Sequence, residues 1–263
     1  MPSSYPVPQT QPFLLPGGST GVILVHGFTS TPKEMSRLGA YLNQQGFTVI
    51  APRLPGHALT IQDMPRTRYQ DWYNALEDAY QLLRPHCAQM AIVGVSMGGA
   101  LSLLFAANHP FDALVTLSAP YDLSDSPRLR KILPLLRLLS RVKPFLKKPK
   151  GGHWFNPEAG REHYSYRYNP TRSAVELLLM LSEMQAALPR VTAPALLIHS
   201  LDDGYVHPAN LLPLFALLGS PQKDMRFIQG SSHCVTIDGD RQSLYEQIGA
   251  FLTARCAPMP PAQ

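Results

Sequence analysis

Cysteine is scarce in this chain of 263 residues. Cys87, Cys234 and Cys256 are the only three, too widely spaced for a metal-ligand pattern or a disulfide framework. Long apolar runs are missing as well: no stretch reaches the roughly 18 apolar residues a membrane-spanning helix needs. Met1 to Pro16 holds five prolines and no Lys or Arg, so the basic start and apolar centre of a signal peptide are absent. These absences predict a cytoplasmic protein. No internal repeat is visible. Charged residues make up only 16% of the chain against 45% hydrophobic, an ordinary globular balance. A chain of this length can bury a large core, and it fits one α/β domain with an insertion better than two domains.

Acidic residues are absent from one long stretch. Between Arg128 and Lys150 stand nine Lys or Arg (Arg128, Arg130, Lys131, Arg137, Arg141, Lys143, Lys147, Lys148 and Lys150) and no Asp or Glu. The net charge of +5 comes from that segment; without it, 14 of the 23 basic residues face 18 acidic ones, a net of −4. The basicity is local, so it does not mark the whole domain as a nucleic-acid binder.

The rest alternates between apolar runs and helical patterns. Val22-Ile23-Leu24-Val25 reads as a strand buried on both faces of a parallel sheet. Thr31-Pro32-Lys33-Glu34 combines an N-cap threonine, proline at the first helical position and a capping-box glutamate, which predicts a helix to about Gln45, ended by Gly46. Gln11 to Pro16 suits a short edge strand. Phe47 to Ile50, Met90 to Val95, Ala113 to Leu117, Pro194 to His199 and Met225 to Ile228 are further strands. Helices are expected over Asp71 to Leu83, Ala100 to Asn108, Ser173 to Ala187, Pro208 to Leu218 and Asp240 to Arg255. The rhythm breaks between Ala119 and Arg190, which contains the basic segment and an aromatic-rich loop from Gly151 to Tyr168. Strands alternating with helices predict a mostly parallel sheet with helices on both faces, its working residues in loops beyond the carboxyl ends of the strands.

Gly94-Val95-Ser96-Met97-Gly98-Gly99 joins a strand directly to a helix. A lone Gly-x-Ser-x-Gly occurs often by chance; its position here carries the weight. Between strand and helix it describes a tight turn that lifts a nucleophilic Ser96 above the sheet. A serine hydroxyl needs a base within hydrogen-bond reach and an acid to orient that base. The base candidate is His233, in Ser231-Ser232-His233; the acid candidates are Asp202 and Asp203, just past the Pro194 to His199 strand. The oxyanion of a tetrahedral intermediate needs two preorganised N–H donors. The backbone amide of Met97 is one, and Phe28, in the His26-Gly27-Phe28 loop after the first core strand, is the best candidate for the other. His26 is read as shaping that loop, and Cys234 as a packing residue.

Several pieces together carry a family likeness: His26-Gly27-Phe28-Thr29-Ser30, Leu54-Pro55-Gly56-His57, Asp71-Trp72, the Ser96 turn, Leu188-Pro189-Arg190-Val191-Thr192-Ala193-Pro194 and Ser232-His233. In this order the chain resembles the bacterial carboxylesterase and monoacylglycerol lipase branch of the α/β-hydrolases, over nearly its whole length except the middle of the interval from Asp122 to Arg167. The resemblance implies an α/β-hydrolase fold with a core of residues 1–118 and 190–256, a small cap over the site at 119–189, and a flexible tail at 257–263. Its acid lies in a D-x-x-V/I pattern followed closely by proline, which Asp203 satisfies with Val206 and Pro208, so the implied triad is Ser96, Asp203 and His233. The implied activity is cleavage of short- to medium-chain acyl esters without metal or cofactor, with small-molecule or lipid-like esters as partners, no nucleic acid, and a monomer or homodimer. A monoacylglycerol lipase or thioesterase would use the same triad. A non-catalytic or membrane-surface binding protein on this scaffold is the rival of another class, which an intact triad argues against.

Two departures from the family stand out. Gly56-His57-Ala58 replaces the usual Gly-His-Gly, and the cap carries the basic segment, where Leu and Ile interleave with Lys and Arg. That segment reads as a solvated cationic surface or as a lid that contacts anionic lipid or attracts an acidic substrate. Trp154, Phe155, Tyr164, Tyr166 and Tyr168 are expected to anchor the cap.

Overall fold

The structure is a computed structural model and describes residues 10–123, 138, 140–148 and 153–256. Most of the basic segment and the expected tail at 257–263 therefore lie outside the described residues. A seven-stranded sheet has the order β1-β3-β2-β4-β5-β8-β9. Its strands are β1 (Phe13–Leu15), β2 (Thr20–Val25), β3 (Thr48–Ala51), β4 (Gln89–Val95), β5 (Ala113–Leu117), β8 (Ala195–Ser200) and β9 (Lys223–Ile228). Only β1 runs antiparallel to its neighbour, with Phe13 opposite Ala51; every other pairing is parallel.

The central apolar runs become strands because each can bury both faces. Ile23 and Val25 of β2 face one core while Val22 and Leu24 face the other. The first core takes its partners from helices α2 (Tyr69–Leu83), α3 (Met97–Ala106), α5 (Thr171–Ala187) and α6 (Leu211–Leu217), the second from α1 (Lys33–Gln44) and α7 (Arg241–Arg255). Every residue of α3 is buried, as expected of a helix that is apolar on all sides. None of the helices among the described residues is long and apolar enough to cross a membrane.

Some boundaries and caps differ from the expectation. Helix α2 begins at Tyr69 rather than Asp71, because the Asp71 carboxylate accepts the Arg68 N–H at 2.7 Å and becomes its N-terminal clamp. The expected capping box at Thr31 and Glu34 does not form; Pro32 is the cap of α1 and makes no side-chain capping bond. The Glu34 side chain turns instead toward the loop after β2. Helix α6 is preceded by a single 3-10 turn over Pro208–Asn210.

Between β5 and β8 the chain leaves the sheet. The aromatic-rich stretch is not a plain loop: it contains α4 (Pro157–Glu162), where Asn156 accepts the Glu158 N–H at 3.0 Å. Strands β6 (Phe145–Lys147) and β7 (Tyr168–Pro170) pair antiparallel as a second small sheet. Asn156-Pro157 is a helix-start signal legible in sequence; the β6–β7 pairing has no comparable local mark. Of the expected aromatic anchors, Tyr166 is buried, and its hydroxyl reaches the carbonyls of Gly56 at 2.9 Å and Thr60 at 3.0 Å and accepts the Leu59 N–H at 3.1 Å. Phe155 and Tyr168 are exposed, so they do not anchor this region to the core.

Candidate active site

Ser96 sits between β4 and α3 with φ +54° and ψ −124°, a strained conformation for a residue with a side chain. Crowding enforces it. A Cβ on Gly94 would fall on the Gly98 carbonyl, and one on Gly98 would fall on the Val25 carbonyl of β2, so strand and helix meet this closely only with glycine at both positions. The Ser96 N–H donates to Leu117 O at 2.8 Å, and the Ser96 carbonyl starts α3 by accepting from Gly99 N and Ala100 N. The side chain is left at the positive end of the helix.

Residues far apart in sequence meet it there. Ser96 Oγ lies 2.9 Å from His233 Nε2, and His233 Nδ1 lies 2.7 Å from Asp203 Oδ2. Asp203 Oδ1 accepts the N–H groups of Tyr205 at 2.8 Å and Val206 at 2.9 Å. Burial pushes the Asp203 carboxyl upward, but hydrogen bonds from His199 and His233, the His233 charge and the Val206 amide outweigh it and hold the group well below the usual carboxylate range. Asp203 remains an anion, with one oxygen clamped by the backbone and the other aimed at the imidazole. Asp202 points elsewhere and accepts the Gly230 N–H at 2.7 Å.

Two residues in this arrangement escaped the sequence reading. His199 on β8 is fully buried, with Nε2 3.3 Å from Asp203 Oδ2 and 3.0 Å from Val206 O. Asp238 is also fully buried and accepts the N–H groups of Ser232 at 2.8 Å and Asn156 at 2.6 Å, tying the His233 loop to the start of α4. Nothing local in the sequence distinguishes either from an ordinary buried polar residue.

The loop from His26 to Ser30 forms another wall. His26 is fully buried; its Nδ1–H donates to Gly27 O at 3.0 Å, and its Nε2 accepts the Leu54 N–H at 3.2 Å. Burial, then the neighbouring His57 and Arg53, keep its pKa well below that of a free histidine, as a ring accepting at Nε2 requires. Glu34 accepts from the Gly27 N–H and from Ser30 Oγ, the latter at 2.6 Å. Thr29 has φ +60°, an outlier for a β-branched residue. Its hydroxyl donates to Phe28 O and accepts from Lys148 Nζ, both at 2.6 Å, while Tyr166 N donates to Thr29 O at 3.0 Å. Phe28 and Met97 both border the cavity that Ser96 and His233 border, and neither amide N–H is hydrogen-bonded to another described residue.

That cavity, of about 430 Å³, is lined by both apolar and polar residues. Phe28, Leu123, Ala174, Leu177 and Val206 are apolar; Thr29, Ser30, Glu34, Lys148, His163 and Ser165 are polar. Of the nine basic residues, Arg141, Lys143 and Lys147 are exposed and Lys148 turns into the cavity; the other five lie outside the described residues. Cys234 also borders it. Burial first, then the Glu34 and Asp203 charges, pushes its thiol pKa well up, which makes it a poor nucleophile. Glu34, His163 and Cys234 bring potential ligand atoms within 4.8 Å of one another. The Lys148 ammonium that helps to depress the His163 pKa would oppose a dication there in the same way.

In the left-handed turns Gly56 has φ +78° and Ala58 φ +57°. The second is where the family pattern has glycine; here an alanine bears the strain. His57 between them packs edge-on against His26, Phe28 and Trp72.

Known proteins place this architecture. The chain is 33% identical to the thermostable monoacylglycerol lipase of Bacillus sp. (strain H-257), over 94% of its own length and 96% of that protein. It is 23% identical to a carboxylesterase of Bacillus subtilis (strain 168), over 92% and 96% of the two chains. Among solved structures, one from work on the metagenome-derived lipolytic enzymes LipS and LipT superimposes with a TM-score of 0.87 at 28% identity, covering 95% of this chain and 100% of that one. The Paleococcus ferrophilus monoacylglycerol lipase does so at 0.78 and 20% identity, over 93% of this chain and 98% of that one, and shares the fold. The sequence model of the hydrolase family described as "Serine aminopeptidase, S33" matches residues 19–240. With this match and its α/β-hydrolase fold, the chain belongs to that family of serine hydrolases.

Proposed function

We propose that this serine ester hydrolase cleaves short- to medium-chain acyl esters, monoacylglycerols among them, through an acyl-enzyme on Ser96. The observation that carries the reading is the unbroken chain Asp203–His233–Ser96, with spacings of 2.7 Å and 2.9 Å, beside a cavity lined in part by apolar residues. His233 takes the proton from Ser96 Oγ as the oxygen attacks the ester carbonyl, and Asp203 stabilises the imidazolium that forms. The Phe28 and Met97 amides receive the oxyanion. His233 then protonates the leaving alcohol, and the same steps with water release the acid.

The apolar lining residues suit an acyl chain, and the relatives named lipase and carboxylesterase support ester over peptide substrates. An aminopeptidase would need a carboxylate free to hold the substrate's ammonium group. Glu34 is already engaged by Gly27 and Ser30, and the Lys148 charge in the same cavity repels a cation. Residues 119–189 act as a cap over the site in this reading. Exposed Leu138 and Val142 beside Arg141 and Lys143 support contact of that cap with an anionic lipid surface.

The test is hydrolysis of p-nitrophenyl esters from acetyl to palmitoyl, with 1-monoacylglycerol alongside, for the wild type and Ser96→Ala. Turnover with a short- to medium-chain optimum, falling by about 10⁴ or more in the variant, is expected. Equal slow rates in both proteins would end the proposal.

A further inference from the structure

Lys148 places an ammonium group in the lining of the cavity beside Ser96. It is partly buried, and two of its three N–H groups donate to neutral hydroxyls, Thr29 Oγ1 at 2.6 Å and Ser165 Oγ at 3.0 Å. No carboxylate of a described residue lies within ion-pair distance of it. Glu34 stands farther off, with its oxygens taken by Gly27 N–H and Ser30 Oγ. An ammonium withdrawn from water without an anionic partner is unfavourable; burial alone brings its pKa down to about 8, although Cys234 and Glu34 pull the other way. An anion entering the cavity would meet the unused N–H and offset that desolvation.

We propose that Lys148, with Thr29 and Ser165, forms a subsite for an anionic oxygen group, a carboxylate or phosphate, carried on the alcohol half of the ester. This rests on the ester-hydrolase reading. The half of the substrate is chosen by chemistry: an acyl chain suits the apolar lining residues Phe28, Leu123, Ala174, Leu177 and Val206, which leaves the polar cluster of Lys148, Thr29 and Ser165 to the alcohol. Lys148 is also coupled to the loop that bears Phe28, since its hydroxyl partner Thr29 donates in turn to the Phe28 carbonyl. An anion on Lys148 would therefore lie against the loop that bears the proposed oxyanion donor, in the cavity that Ser96 also lines. The preferred substrates are then acyl esters of phosphorylated alcohols or hydroxy acids rather than neutral glycerides.

The experiment compares three butyryl esters that differ only in the alcohol: glycerol, glycerol 3-phosphate and glycerate. The wild type should favour at least one anionic ester over the neutral one in kcat/KM, by about ten- to a hundredfold. Lys148→Met should lose that preference, with kcat/KM on butyrylglycerol as the reference for any loss common to all three esters through the Thr29 loop, and Lys148→Arg should restore part of it. Preference for the phosphate or for the carboxylate identifies the source of the charge. Equal kcat/KM on all three wild-type reactions, or an equal loss on all three in Lys148→Met, overturns the proposal. Calorimetry with glycerol 3-phosphate reads the subsite without turnover. Lys148-dependent binding in a protein that cleaves none of the esters would sink the ester-hydrolase reading and leave the anion subsite standing; no binding together with no cleavage would remove both.

Discussion

Two loops border Ser96, and they hold strained backbones by opposite means. The turn from Gly94 to Gly99 is built from neighbours: Gly94 and Gly98 let strand and helix close on each other, and Ser96 at φ +54° is held between the Leu117 carbonyl and the first turn of α3. The loop from His26 to Ser30 reaches φ +60° at Thr29 with a β-branched residue, and its supports come from elsewhere. Leu54 holds His26, Glu34 holds Gly27 and Ser30, and Lys148 and Tyr166 hold Thr29 from the far side of the β5 to β8 interval. A nucleophile can be positioned by packing alone. The loop proposed to present an N–H to a developing charge is braced by a polar network of partners remote in sequence.

Substitutions that separate the two kinds of support test this contrast. The largest stability effect is expected at the packed turn: Gly94→Ala drives a methyl into the Gly98 carbonyl and should lower stability by about 3 kcal/mol or more in urea unfolding. A near-neutral result would mean the turn has slack. Next comes the braced loop. Glu34→Ala leaves the Gly27 N–H and Ser30 hydroxyl without their partner, at about 1–3 kcal/mol, and should lower kcat more than it raises KM. Glu34→Gln, which keeps an acceptor for Gly27, should recover most of the stability. If the Gln and Ala variants lose equally, the bracing is not hydrogen-bonded.

The loops should also differ in acid. No residue from Gly94 to Gly99 titrates, whereas His26, His57 and His163 stand behind or beside the other loop. Burial lowers the pKa of all three, to about 4 for His57 and for His163 against 6.5 for a free histidine. Between those values the unfolded chain binds more protons than the native one. Stability should fall as pH drops from 6.5 toward 4, by up to about 1.4 kcal/mol per pH unit for each histidine. Urea midpoints at pH 7 and pH 5 measure this, and His57→Gln should flatten the slope by roughly its own share. A pH-independent midpoint would mean these histidines are hydrated or charged in the fold. The smallest effect belongs to Thr29→Gly. Relief of the left-handed strain, about 1 kcal/mol, offsets the loss of the hydroxyl's two hydrogen bonds, so the unfolding free energy should move by less than about 1 kcal/mol.

The difference between the loops also explains what could be read from the chain. The Ser96 turn was legible because a strand, three glycines and a helix lie side by side in sequence. The strands were legible because runs such as Val22 to Val25 are apolar at every position, which a sheet covered on both faces demands. Asp203 became the preferred acid only through the family pattern; the residues themselves left Asp202 equally open. Glu34 was misread because a local rule, the capping box, competes with a buried amide that no local rule sees. His199, Asp238 and Lys148 carry no signal of their own: each takes its meaning from a partner remote in sequence.

The sequence by itself determined the fold class, the helix and strand order outside the stretch from Ala119 to Pro170 and the serine turn, because these follow from backbone geometry and the periodicity of apolar residues over a few neighbouring positions. Only the tertiary structure decided which groups face the cavity: Asp203 rather than Asp202 against His233, Glu34 under the Phe28 loop, and Lys148 turned inward from an otherwise basic surface. A hydrogen bond depends on direction and distance between groups that the chain brings together only once it has folded.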